Sequence, residues 1–171
     1  DESTPVHFDG SKMSFGFGHA YKIAQDETTL KGPHNLINTM AAVSAAEVAG
    51  VSLEAIRKGL STFKNAPHRL ESVGTIKGVE FINDSKATNV DSVVYALGSY
   101  AGPLVWIAGG IDKGNDYTLI DKEVKAKVHT LICLGKDNEK LKKAFGGLVP
   151  TIKETQTVKE LVRMALAEAK Q

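Results

Sequence analysis

One cysteine, one tryptophan and five prolines in 171 residues set the first limits on this chain. A lone Cys133 excludes an internal disulfide framework, and its setting in Thr130-Leu131-Ile132-Cys133-Leu134 reads as a buried strand rather than a reactive thiol. No apolar run is long enough to span a bilayer and no signal-peptide pattern follows Asp1, so a cytoplasmic location without membrane insertion is expected. An excess of one charge is also missing. Twenty-one basic residues face 20 acidic ones, aromatics make up 6%, and no basic stripe with interleaved aromatics occurs, which argues against a nucleic-acid partner. Two glycine motifs are absent as well. Without G-x-x-x-x-G-K-[ST] these residues have no loop to cradle nucleotide phosphates in the usual way, and without G-x-G-x-x-G a dinucleotide is not expected.

What is present belongs to an ordinary α/β protein, with 42% hydrophobic and 24% charged residues. Phe63-Lys64-Asn65-Ala66-Pro67-His68 interrupts a helical pattern, and the proline disfavours its continuation, so a domain boundary is expected near Asn65. Domains of 1–65 and 66–171 follow. In the first, short strands are predicted near 12–17 and 20–23. A helix is predicted over 36–49, stopped by Gly50, and another over 53–60, capped by Ser52. In the second, strands over 78–83, 104–108, 129–134 and 151–153 alternate with helices over 92–100, 121–128, 136–145 and 158–169. That alternation is the signature of a Rossmann-like parallel sheet with flanking crossover helices.

The most informative run is Asn83-Asp84-Ser85-Lys86-Ala87-Thr88-Asn89, directly after the apolar stretch 79–82. In open α/β sheets ligands gather at the carboxyl ends of strands. A loop there with a carboxylate, a lysine and two hydroxyls can grip a nucleotide hydroxyl or metal through Asp84, an anion through Lys86, and a small polar substrate through Ser85 and Thr88. The competing reading is a polar turn that caps the next helix through Asp84 or Thr88. Asn35 and Asn38 lie three apart at a helix start, and each amide offers a donor and an acceptor. They can read a base edge together, or serve as a cap and a polar face. Arg69 carries a donor fork matched to phosphate or carboxylate, or else pairs with Glu71. Gly109-Gly110-Ile111-Asp112-Lys113-Gly114 is a second strand-end loop, or a flexible turn with surface charges.

Taken in order, Gly32-Pro33-His34-Asn35-Leu36-Ile37-Asn38, Pro67-His68-Arg69-Leu70-Glu71, the Asp84 run and the Gly109 run resemble the Mur ligases, ATP-dependent amide-forming enzymes of peptidoglycan precursor synthesis. Asp-Ser-Lys-Ala-Thr-Asn followed by this second loop looks like the branch that adds D-glutamate. The resemblance runs from about Leu30 to the end of the chain. It implies a fragment, made of the tail of a central ATP-binding domain and most of a C-terminal Rossmann-like domain, inactive without the rest.

For the whole protein, the resemblance implies a monomer that uses ATP and Mg2+ to phosphorylate UDP-N-acetylmuramoyl-L-alanine and then lets D-glutamate displace the phosphate. Asn35, Asn38 and Arg69 would contact the nucleotide, and Asp84 its ribose. Lys86 would act with Asp84 in catalysis, placing positive charge near the developing phosphate or oxyanion. Thr88 and Lys113 would hold D-glutamate, with Ser85 beside them. Ile111 departs from the usual spacing of the second loop. Closure about residues 63–68 would bring the two ligand sets together. A sibling Mur ligase, a folylpolyglutamate synthetase, or a non-catalytic Rossmann-like binding module remain open as alternatives.

Overall fold

The computed structural model describes residues 5–16, 20–30, 33–112 and 114–169, and the chain divides into two compact units, Asp1–Ala66 and Pro67–Gln171. In the first unit, β1 (Val6–Phe8), β2 (Lys12–Phe15) and β3 (Tyr21–Ala24) form an antiparallel sheet in that order. The β1–β2 turn is shaped by Asp9, whose carboxylate accepts from the Lys12 and Ser11 amides at 2.8 and 2.9 Å and is held far below the usual carboxylate range by them. Strand alternation sends Met13 and Phe15 to one face with Ile23. Val43 of α1 (Pro33–Val48) and Ile56 of α2 (Leu53–Thr62) complete that core. Both expected helix signals are used. Gly50 takes φ +79°, and the Ser52 hydroxyl accepts from the Ala55 amide at 3.3 Å.

The second unit opens with a hairpin, β4 (Glu71–Ile76) and β5 (Val79–Asn83). Its turn is Lys77-Gly78, with φ +51° and +80°, and two consecutive left-handed residues make the type I′ geometry that matches the twist of paired strands. Then come α3 (Val90–Gly98), β6 (Leu104–Gly109), α4 (Asp121–Lys127), β7 (Val128–Leu134), α5 (Glu139–Phe145), β8 (Thr151–Thr155) and α6 (Val158–Glu168). β6, β7 and β8 pair in parallel in that order. The middle strand is buried on both faces. Leu131 and Cys133 pack with Val90, Leu97, Val124 and Phe145, while Ile132 packs with Leu161 and Ala165 of α6. Cys133 is thus a small core residue, and burial pushes its thiol up to about 11. Among the described residues no helix is long and apolar enough to cross a membrane.

One strand departs from expectation. The strand–helix alternation assigns residues 78–83 to the parallel sheet, yet β5 pairs antiparallel with β4, and the parallel sheet starts at β6. A two-residue turn brings β4 against β5 at very small loop-closure cost, so the local partner satisfies the backbone of β5. β4 itself offers no apolar alternation to read. Val73 and Ile76 are exposed, and Gly74, at φ +146°, sits where the register shifts.

Candidate functional site

The run after β5 is built by its main chain. The Ala87 amide donates to the Asp84 carbonyl at 2.8 Å, and the Thr88 amide donates to the Lys86 carbonyl at 3.0 Å, which turns the chain tightly within five residues. The Ser85 amide donates to Asn83 Oδ1 at 3.1 Å. The cap of α3 is neither Asp84 nor Thr88. It is Asn89, whose side-chain oxygen accepts from the Ser92 amide at 2.8 Å. Asn is among the strongest capping residues, and its position one residue before the helix lets it take that role. The carboxylate and hydroxyl of the motif are thereby released from capping. Ser85, Lys86 and Thr88 are exposed, and Asp84 is half-buried.

Asp84 has a different structural partner. Its Oδ1 accepts from the Leu70 amide at 3.0 Å, and the Lys86 amide donates to the His68 carbonyl at 3.2 Å. The Asn83 side-chain amide, oriented by its bond to Ser85, can only donate through Nδ2, so His68 Nδ1 is the acceptor at 2.8 Å. Three bonds therefore staple residues 68–70 to 83–86, next to the register pair Glu71↔Asn83. Arg69 stands between two of the stapled residues and is exposed. His68 and Leu70 on either side of it have φ +65° and +44°, left-handed conformations that cost a non-glycine residue about 1–2 kcal/mol each. Such outliers persist only where surrounding bonds impose them, and they favour sites over mere connections. The Glu71 carboxylate, the alternative partner for Arg69, accepts from the His68 amide at 2.8 Å. Tyr100 belongs to this neighbourhood too. Burial first, then the charges of Glu80 and Asp84, raise its phenol above the ordinary range, so it stays protonated beside the motif.

The loop after β6 is made by side chains. At its start a Cβ on Gly109 would lie 2.1 Å from the Leu134 carbonyl oxygen, so only glycine permits this approach of β6 to β7. Gly110 and Gly114 follow with φ +111° and +80°. Asp112 Oδ1 accepts from the Tyr117 hydroxyl at 3.0 Å and the Asn115 amide at 3.4 Å, and Lys140 of α5 pairs with the same carboxylate. The Lys140 ammonium, then the Tyr117 hydroxyl, hold Asp112 at about 2. The simple turn with independent surface charges is not what forms. No sequence signal marks Tyr117 and Lys140 as partners of Asp112, because Lys140 is 28 residues away on another element.

Of the predicted site residues, Arg69, Asp84, Ser85, Lys86 and Thr88 come together in this one stapled patch. Asn35 and Asn38 lie in the first unit, in the opening turns of α1, and differ in setting. Asn35 is 7% exposed, whereas Asn38 faces solvent, so the pair straddles the edge of the buried face instead of sharing it. Lys113 lies outside the described residues. Among the described residues, no group of three His, Cys, Asp or Glu side chains could hold a metal ion.

Comparison with known proteins bears on this patch. Residues 68–171 match the family model described as Mur ligase, glutamate ligase domain. The UDP-N-acetylmuramoylalanine--D-glutamate ligase of Cytophaga hutchinsonii is 52% identical over 145 residues, covering 85% of this chain and 32% of that protein. The enzyme of the same name from Bacteroides fragilis strain ATCC 25285 is 47% identical over 152 residues, covering 88% and 34%. The chain thus spans about a third of the length of these relatives. A crystal structure of MurF from Acinetobacter baumannii superposes with a TM-score of 0.75 at 21% identity, over 98% of this chain and 39% of that one. MurF ligase from Thermotoga maritima, solved in complex with ADP, superposes at 0.52 and 14% identity, over 95% and 44%. These two show the shared fold. By the match that spans its whole second unit from His68 onward, the chain belongs to the Mur ligase family.

Proposed function

We propose that this chain supplies about a third of an ATP-dependent ligase that joins D-glutamate to UDP-N-acetylmuramoyl-L-alanine during peptidoglycan precursor synthesis. The relatives that carry this name support the reaction. The observation that carries the reading is the stapled patch, where a main-chain scaffold releases Ser85, Lys86 and Thr88 from structural duty and presents them beside Arg69 and Asp84. In this reading the first unit is the end of the ATP-binding domain, with Asn35 and Asn38 on the nucleotide, and residues 66–171 form most of the amino-acid domain. The whole ligase would act as a monomer.

The chemistry assigned to these residues is modest and positional. Asp84 has one oxygen on the Leu70 amide, and a carboxylate has capacity for further bonds, which suits a ribose hydroxyl. The Arg69 fork suits phosphate oxygens. Phosphorylation of the substrate carboxyl by ATP makes an acyl phosphate, a carbonyl with a good leaving group. The amine of D-glutamate adds to that carbonyl, and the tetrahedral oxyanion collapses with loss of phosphate. Lys86 supplies positive charge where that oxyanion forms, and its exposure lets the ammonium reach an incoming ligand. Thr88 and Lys113 orient the amino acid, the first by its hydroxyl and the second as a counter-ion, with Ser85 adding a further hydroxyl.

The test is phosphate release by the full-length ligase given ATP, magnesium and UDP-N-acetylmuramoyl-L-alanine, with D- or L-glutamate. Release that requires the D-enantiomer and fails in Lys86→Ala supports the reading. Equal rates with both enantiomers would move the assignment to a sibling ligase, and no turnover with either to a binding module. The 171 residues alone, lacking a phosphate loop, are expected not to turn over ATP.

A further inference from the structure

We infer that Lys140 and Tyr117 are positioning residues for the amino-acid step: they fix the Asp112 carboxylate and neutralise its charge, so that the loop after β6 can receive a dianionic amino acid. This rests on the reading above, in which that loop faces D-glutamate.

The loop is held from two directions. Tyr117 donates to Asp112 from the far end of the loop at 3.0 Å, and its ring packs edge-on against Phe145, with centroids 5.5 Å apart. Phe145 is fully buried and also receives Trp106 of β6 edge-on at 5.2 Å, so the phenol is anchored in the core. Lys140 reaches Asp112 from the first turn of α5. That helix start is itself fixed. The buried Asn138 side chain donates to the Gly135 carbonyl and to Glu154 of β8, both at 3.1 Å, and Lys142 pairs with Glu154 at 2.9 Å. A path of bonds thus runs from β8 through α5 to the loop.

The electrostatic need is specific. Asp112 stays ionised at any working pH because its partners hold it at about 2, so a proton cannot remove its charge. A bare carboxylate beside a substrate with two carboxylates would repel it. A cation must cancel that charge, and among the described residues Lys140 pairs with it. The Lys140 side chain is 72% exposed, and exposed ion pairs contribute little to stability, so a purely structural role predicts almost no effect on substitution.

The test uses the full-length ligase as wild type, Lys140→Met, Lys140→Arg, Tyr117→Phe, and Lys140→Met combined with Asp112→Asn. Lys140→Met is expected to raise KM for D-glutamate about fivefold with little change in kcat or Tm, the size of one exposed ion pair. Lys140→Arg should recover most of the loss. The double variant should also recover part of it, because the charge in need of a partner is gone. An unchanged KM in Lys140→Met, or a fall in kcat alone, would overturn the inference, as would a double variant worse than Lys140→Met. Amide hydrogen exchange at Gly114 and Asn115 in the 171-residue chain gives a second readout. Faster exchange in Lys140→Met and Tyr117→Phe supports the latch, and unchanged exchange in both overturns it. A wild-type ligase indifferent to D-glutamate with a latch visible by exchange would locate the failure in the ligase reading instead.

Discussion

The loops after β5 and β6 leave the carboxyl ends of successive strands, yet they are stabilised in opposite ways. The first is held by backbone amides and carbonyls, with Asp84, Asn83, His68 and Asn89 as auxiliaries, and its hydroxyls and lysine project outward. The second is held by its own charged and phenolic side chains, Asp112, Tyr117 and Lys140. A polar side chain already engaged within the fold makes scaffold. One that the main chain holds out unspent is available to a ligand. The contrast separates residues of similar chemistry, since Lys86 and Lys140 are both exposed lysines and only one is committed to a partner described here.

The contrast breaks most visibly at Lys86. Lys86→Ala is expected to lower ligation about 100- to 1,000-fold, while chemical denaturation shifts by less than about 0.5 kcal/mol. A matching loss of stability would place Lys86 with the scaffold. Gly109→Ala should do the reverse in the 171-residue chain. A methyl at 2.1 Å from the Leu134 carbonyl forces β6 and β7 apart, and a destabilisation of about 3 kcal/mol by urea unfolding is expected. His68→Ala tests the staple. It removes the acceptor of the Asn83 amide and should cost about 1 kcal/mol, with a weakened apparent affinity for ATP if Arg69 is positioned through it.

The smallest effect concerns pH. The folded Asp112 carboxyl, at about 2, lies below its ordinary value of 3.8, so its contribution to stability is complete above pH 4. It fades as pH falls from about 4 through 2. Asp112→Asn should therefore lower Tm modestly near neutrality, and its curve should converge on the wild type as pH falls through that window, which flattens its acid limb. An identical acid limb in variant and wild type would remove Asp112 from the scaffold.

Much of this was legible because it is local. The buried run 130–133 announces a central strand, and Ser52 and Gly50 announce helix ends through nearest-neighbour chemistry. The Asp84 motif announces itself by residue type. The remainder depends on partners that sequence distance conceals. β4 exists because Lys77-Gly78 returns the chain against β5, and the exposed Val73 and Ile76 leave no pattern to detect. Asn89 outcompetes Thr88 for the cap by a difference of one position, and Asp84 lies too far before the helix to take it. Asp84 is drawn instead to an amide 14 residues earlier, which no motif states.

The burial of Cys133 has a practical side. The only thiol in the chain sits at 0% exposure near the carboxyl end of β7, and a thiol pushed up to about 11 has almost no thiolate at neutral pH. The folded 171-residue chain is therefore expected to be silent toward maleimides. A cysteine introduced at Ser85 or Thr88, both exposed, becomes a single addressable point for a fluorophore or spin label, and ligand arrival at the loop can be watched without first removing a natural residue.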